Sequence, residues 1–170
     1  MKVPHLLPVQ VEILPSTLVS DLEVVPPKNG NAANVCMSAG SAPAPSVYQQ
    51  RGQLVNSMAH TNDPYGLSSA ASVGYNAYEL AQFRRGGPLD AQVRYHGSTA
   101  YANYVFGVYL SAAGWTLPQT LDAANDYARA RSRYPAGTPM DPQYPSTPAV
   151  NIANITAGYY AQQNGSLCHK

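Results

Sequence analysis

The chain has few groups able to move a proton: nine Asp and Glu and four His in 170 residues. Any acid–base chemistry must draw on that short supply. The densest stretch is ELAQFRRGGPLDAQVRYHGSTAYAN, which holds Glu79, Arg84, Arg85, Asp90, Arg94, His96, Tyr101 and Asn103. Asp90 follows the turn Gly86-Gly87-Pro88, which leaves its backbone little freedom. Loops held between helices are common places for sites. There a carboxyl group can serve as acid, base or nucleophile, according to whether burial or a neighbouring Arg84 or Arg94 governs its titration. Its plain structural role is to cap the turn. His96, beside Gly97, is a candidate general base or an ordinary loop histidine. Glu79 is the most economical second carboxylate for glycoside cleavage, which uses a pair about 5–9.5 Å apart; otherwise it is a helix-surface residue. Tyr101 and Asn103 read as substrate contacts, with a buried structural amide of equal weight for Asn103. Arg84 and Arg94 read as holders of a phosphate or carboxylate, or as solvated helix-end charges.

The chain carries no nucleophile elbow, no P-loop, no HExxH and no CxxC pair, so no cofactor is expected. Cys36 and Cys168 lack the spacing and number of ligands that a metal site needs, so no metal is expected either. A disulfide between them is the favoured reading and two independent buried thiols the alternative. An oxidised pair implies the periplasm or the cell exterior. Composition leans the same way. Charged residues make up 11%, against roughly 25% in ordinary soluble proteins, so Asn, Gln, Ser, Thr and the 13 Tyr must cover the surface. With a net charge of +1 and its only lysines at Lys2, Lys28 and Lys170, the chain lacks a general nucleic-acid footprint.

The elements that must position these groups read as helices. Residues 1–30 are Pro-punctuated and predict an extended arm or short β-hairpin; the start, Met1 to Ser20, broken by Pro4, Pro8 and Pro15 and holding Glu12, makes a poor signal peptide. No membrane span is predicted. Residues 31–170 read as one helical domain, starting with a helical turn at Asn34–Met37. A helix from about Ser46 should bury Val47, Leu54, Val55 and Met58. HTNDPY makes a turn, and a second helix over 67–83 ends at Gly86-Gly87-Pro88. The central helix over 98–113, capped by Ser98 or Thr99 and stopped by Gly114, carries Ala100, Asn103, Gly107 and Ser111 on one small, polar face. Something must pack very close to it. Another helix starts near Pro118 and runs to about Arg133. The last opens at Thr147-Pro148, faces the core with Ala149, Ile152, Ala153 and Thr156 or Tyr160, and ends near Gly165. The fold class is mainly α, a compact single-domain bundle.

The run Phe83-Arg84-Arg85-Gly86-Gly87-Pro88-Leu89-Asp90 resembles the hallmark of the polymorphic toxin type 44 family, roughly F-x-x-V-R-x-G-G-P-W-D-[YF]-K. Tyr101-Ala102-Asn103-Tyr104-Val105-Phe106-Gly107 resembles that family's [YF]-G-N-F-[HN]-Y-G. Pro26-Pro27 and Asn34-Val35 upstream, and Tyr144, Pro148, Asn151, Ile155 and Gly158 downstream, follow it loosely. The resemblance spans residues 26–160 with an insertion around 40–70. Leu89, Ala91 and Gln92 replace the Trp and the aromatic-Lys pair, and Ser146, Thr147 and Asn151 stand where the family has an acidic cluster. A mechanism using those acids would be lost, whereas Asp90, Asn103, Tyr101 and Gly107 carry over. The resemblance implies an antibacterial toxin carried out by a secretion system and neutralised by a cognate immunity protein.

Three functions are then expected in order. The first is a peptidoglycan hydrolase secreted and delivered to the target-cell periplasm, with Asp90 and Glu79 as its carboxylates. The second is a ribonuclease working in the target-cell cytoplasm through His96, Arg94 and Asp90. The third is a binding module without catalysis.

Overall fold

The computed structural model of the 170-residue chain describes residues 30–60 and 67–169. The expectations for the 1–30 arm and the HTNDPY turn fall, apart from Gly30 and His60, outside the described residues. Among those described there are six helices: α1 (Gly30–Met37), α2 (Pro45–Ala59), α3 (Leu67–Gln82), α4 (Thr99–Ala112), α5 (Leu117–Arg131) and α6 (Ala149–Gln163). One isolated antiparallel bridge joins Met140 to Pro148. The domain is mainly helical and compact, as the sequence predicts.

Helix α4 is the axis of the bundle. Ser98 caps it through a 3.0 Å hydrogen bond from the Tyr101 N–H, and Gly114, at φ +85°, takes the left-handed turn that stops it. Tyr101, Tyr104, Val105, Val108, Tyr109 and Leu110 are wholly buried. The close-packing expectation for its small face is met at Gly107. A side-chain carbon there would run into the Ile155 carbonyl of α6, and one at Gly158 would run into the Tyr104 carbonyl of α4. The two glycines thus let both backbones meet. Ser111 continues the seam: its hydroxyl donates to Gln162 Oε1 at 2.6 Å and accepts from Gln163 Nε2 at 2.9 Å. On the opposite side Gly52 of α2 lies against the Tyr109 carbonyl.

These crossings explain two corrections to the predicted faces. Helix α2 buries Pro45, Tyr48, Gly52 and Val55, and leaves Val47 and Leu54 exposed. Gly52 must face α4, and that requirement rotates Val47 and Leu54 outward. Helix α6 buries Asn151, Asn154, Ile155, Gly158 and Ala161; Ala153 is exposed and Ile152 only half-buried. Here Gly158 sets the orientation. Helix α5 begins as predicted: Thr116 and Gln119 form a reciprocal capping box with Pro in the first turn. It stops at Arg131, short of the expected Arg133, because Ser132 is already extended.

Cys36 and Cys168 are joined by a disulfide, with Cα atoms 6.0 Å apart. It ties α1 to the segment after α6, whose Cys168 N–H also donates to the Tyr104 hydroxyl at 3.3 Å.

Candidate functional site

The loop between α3 and α4 holds most of the predicted chemistry, and Asp90 is its organiser. The Oδ2 atom of Asp90 accepts from the Gly86 N–H at 2.6 Å, and Oδ1 accepts from the N–H groups of Gln92 and Val93 at 3.0 and 3.1 Å. At 8% exposure it is a nearly buried carboxylate whose ligands are backbone. Gly86 adopts φ +75° to deliver its N–H, and Gly87 sits against the Gln82 carbonyl with no space for a side chain. The turn-capping role is therefore realised.

Neither Arg84 nor Arg94, the arginines that could have held Asp90, forms an ion pair with it. Among the described residues the ion pairs are Arg51–Glu79 and Arg129–Asp126. Arg84 and Arg94 are exposed, Arg94 lying 5.7 Å from the centre of the Tyr95 ring. His96 is also exposed and holds a left-handed backbone at φ +57°, unusual for a residue with a side chain. Lacing of two loops accounts for it: Ser41 N–H bonds the Tyr95 carbonyl, Gly97 N–H the Ala91 carbonyl and Ser98 N–H the Ser38 carbonyl.

Tyr101 and Glu79 are not where the sequence puts them. Tyr101 is fully buried, and its hydroxyl donates to the Pro43 carbonyl at 2.5 Å. It is a core residue with no face for a substrate. Burial, helped by Tyr104, pushes its phenol above the ordinary tyrosine range. Glu79 lies on α3 but is 1% exposed, not on the helix surface. Both its oxygens accept from Arg51 Nη1, at 2.9 and 3.1 Å. Asn103 is half-exposed and its amide donates back to the Thr99 carbonyl at 3.0 Å, so it does not hold Asp90.

Two residues of α2 connect the pieces. Tyr48 is fully buried and its hydroxyl has no hydrogen-bond partner. Burial raises its phenol strongly, the nearby Tyr101, Tyr95 and Asp90 add to the rise, and Arg51 opposes it. The Tyr48 ring also meets the start of the α3–α4 loop, with its centre 5.9 Å from that of Phe83. The predicted carboxylate pair is two separate arrangements, Asp90 held by backbone N–H groups and Glu79 by Arg51, not an open two-carboxylate cleft. Sequence reasoning missed Tyr48 and Arg51. Their i, i+3 spacing on α2 puts them on one face, a signal masked by the apolar Val47 and Leu54.

No family model, no curated protein and no solved structure matches this chain.

The toxin-family resemblance therefore rests on its motif residues alone. Three of them have structural duties: Asp90 organises its loop, Tyr101 fills the core and Gly107 permits a helix crossing. Among the described residues no three of His, Cys, Asp and Glu converge to hold a metal ion, and no helix is long and apolar enough to cross a membrane. A cavity of about 380 Å³ lies elsewhere, between the start of α2 and the chain end, lined by Pro45, Ser46, Gln49, Leu167 and His169. None of the predicted catalytic side chains reaches it.

Proposed function

We propose that this chain is the toxic domain of an exported antibacterial effector that acts on the peptidoglycan of the target-cell periplasm. The observation that carries the reading is the Cys36–Cys168 disulfide. Such bonds persist in oxidising compartments and are rare in the cytosol. The low charge of the chain fits the same setting. Hydrolysis is the proposed reaction and Asp90 its acid–base candidate. Asp90 combines fixed placement with some solvent access, whereas Glu79 is closed off by Arg51 and the exposed His96 ring makes no hydrogen bond among the described residues. A cognate immunity protein would protect the producing cell, and a secretion-system carrier would deliver the toxin.

The test is compartment and substrate together. The chain is expressed in a bacterial host with and without a periplasmic leader, growth is followed, and purified protein is run on a peptidoglycan zymogram. Killing only with the leader, and a cleared band, are the expected results. Killing only without the leader would overturn the reading.

One observation favours a second reading. Arg84, Arg85, Arg94 and His96 are all exposed on the α3–α4 loop, and the three arginines have no ion-pair partner among the described residues. Such a loop suits a phosphate backbone. A ribonuclease of this kind would kill from the cytoplasm and degrade RNA in solution, with His96→Ala inactive.

A further inference from the structure

The outer face of α2 and α3 carries a cluster the proposed chemistry does not use. Tyr78 is 60% exposed. Its ring lies 6.2 Å from that of Tyr75, tilted by 37°, so two aromatic faces share one surface. Arg51 of α2 joins this part of α3 through its ion pair with Glu79, which lies one turn along the helix from Tyr75 and next to Tyr78. The Arg51 side chain remains 40% exposed.

The hydrogen bonding of Arg51 says what such a surface would accept. Nη1 serves both oxygens of Glu79, while Nε and Nη2 make no hydrogen bond among the described residues. The guanidinium is therefore held in place by a buried carboxylate that also cancels its charge. What remains is a fixed planar set of N–H donors beside two tyrosine rings. A phosphate or carboxylate ligand would be drawn to an uncompensated arginine; this one is already paired. A ring with an apolar face and hydroxyl or amide acceptors at its edge matches both halves of the surface, the rings through contact area and the donors through hydrogen bonds.

We infer that Arg51, Tyr75 and Tyr78 form a binding platform for a neutral, N-acetylated sugar chain, braced from below by Glu79. The inference rests on the envelope reading and adds to it the substrate-binding surface, distinct from the Asp90 loop.

Binding of soluble N-acetylglucosamine oligomers is measured by calorimetry at low and high salt, for the intact protein and its variants. The parent is expected to bind with little salt dependence, since charge pairing is not the source of affinity. Tyr78→Ala should weaken binding at least tenfold, Tyr78→Phe should keep it, and Tyr127→Ala, exposed on α5, should leave it unchanged. Thermal melts confirm that each variant is folded. Equal binding by the parent and Tyr78→Ala would overturn the platform and leave the envelope reading standing. No binding by the parent would also overturn the platform, while the compartment experiment decides the envelope reading on its own.

Discussion

Asp90 shows how one side chain can be both a chemical candidate and a structural part. Replacement by Asn retains the Oδ1 acceptor for Gln92 and Val93 but sets an amide N–H₂ against the Gly86 N–H, two donors face to face. Leaving a nearly buried donor unsatisfied costs about 1–3 kcal/mol. Asp90→Asn is therefore expected to fold with a lowered melting temperature, and not with the parent's stability; a differential scanning measurement checks it. Asp90→Glu, which retains two acceptor oxygens but lengthens the arm, should lose stability by strain in the same loop. The Arg51–Glu79 pair behaves asymmetrically. Arg51→Met strands a buried carboxylate, whereas Glu79→Gln leaves a half-exposed arginine able to reach water. The first should destabilise by several-fold more than the second in urea unfolding, with about 3–5 kcal/mol as the upper scale for an unpaired buried charge.

At the level of elements, α4 depends on what its neighbours lack. Gly107→Leu or Gly158→Leu would force α4 and α6 apart, since each new side chain meets a carbonyl of the facing helix. Overpacking of this kind costs about 1–3 kcal/mol or more, and soluble yield and thermal melts should fall for both. Gly74, with open space around it, is the control: Gly74→Ala should be neutral or stabilising. The sequence was legible where local chemistry decides: Ser98 as a cap, Pro118 as a helix start, Gly114 as a stop, Gly107 as a contact. It was less legible where two helices negotiate a crossing. Val47 and Leu54 look like core by hydropathy, yet Gly52 turns them outward. Ile152 and Ala153 likewise yield to Asn151, Asn154 and Gly158. In the candidate site, Asp90's turn was readable from Gly-Gly-Pro. The burial of Glu79 was not, because its partner Arg51 lies on another helix with no local signal linking the two.

For the molecule as a whole, seven tyrosines among the described residues have phenols raised by burial, Tyr48, Tyr101, Tyr104 and Tyr109 among them. A folded-state value above the unfolded one means that the native fold favours the neutral phenol. That contribution is complete below the unfolded value of about 10 and is lost as pH rises through the folded values. Stability should be insensitive to these groups at neutral pH, then fall cooperatively above pH about 10. Tyrosinate absorbance and helical circular dichroism should change together. Reduction is the other global lever. The disulfide closes a span with a sequence separation of 132, for which the chain-entropy model gives roughly 5 kcal/mol. Cys36→Ser with Cys168→Ser should lower the melting temperature markedly, and reductant should do the same to the parent alone. The cross-link also has a topological meaning. Once Cys36 and Cys168 are joined, even a wholly unfolded chain is a ring rather than a thread. A pore wide enough for one extended strand must then admit two abreast. Passage through such a pore has to come before the bond closes, so oxidation on the far side would act as a latch against return.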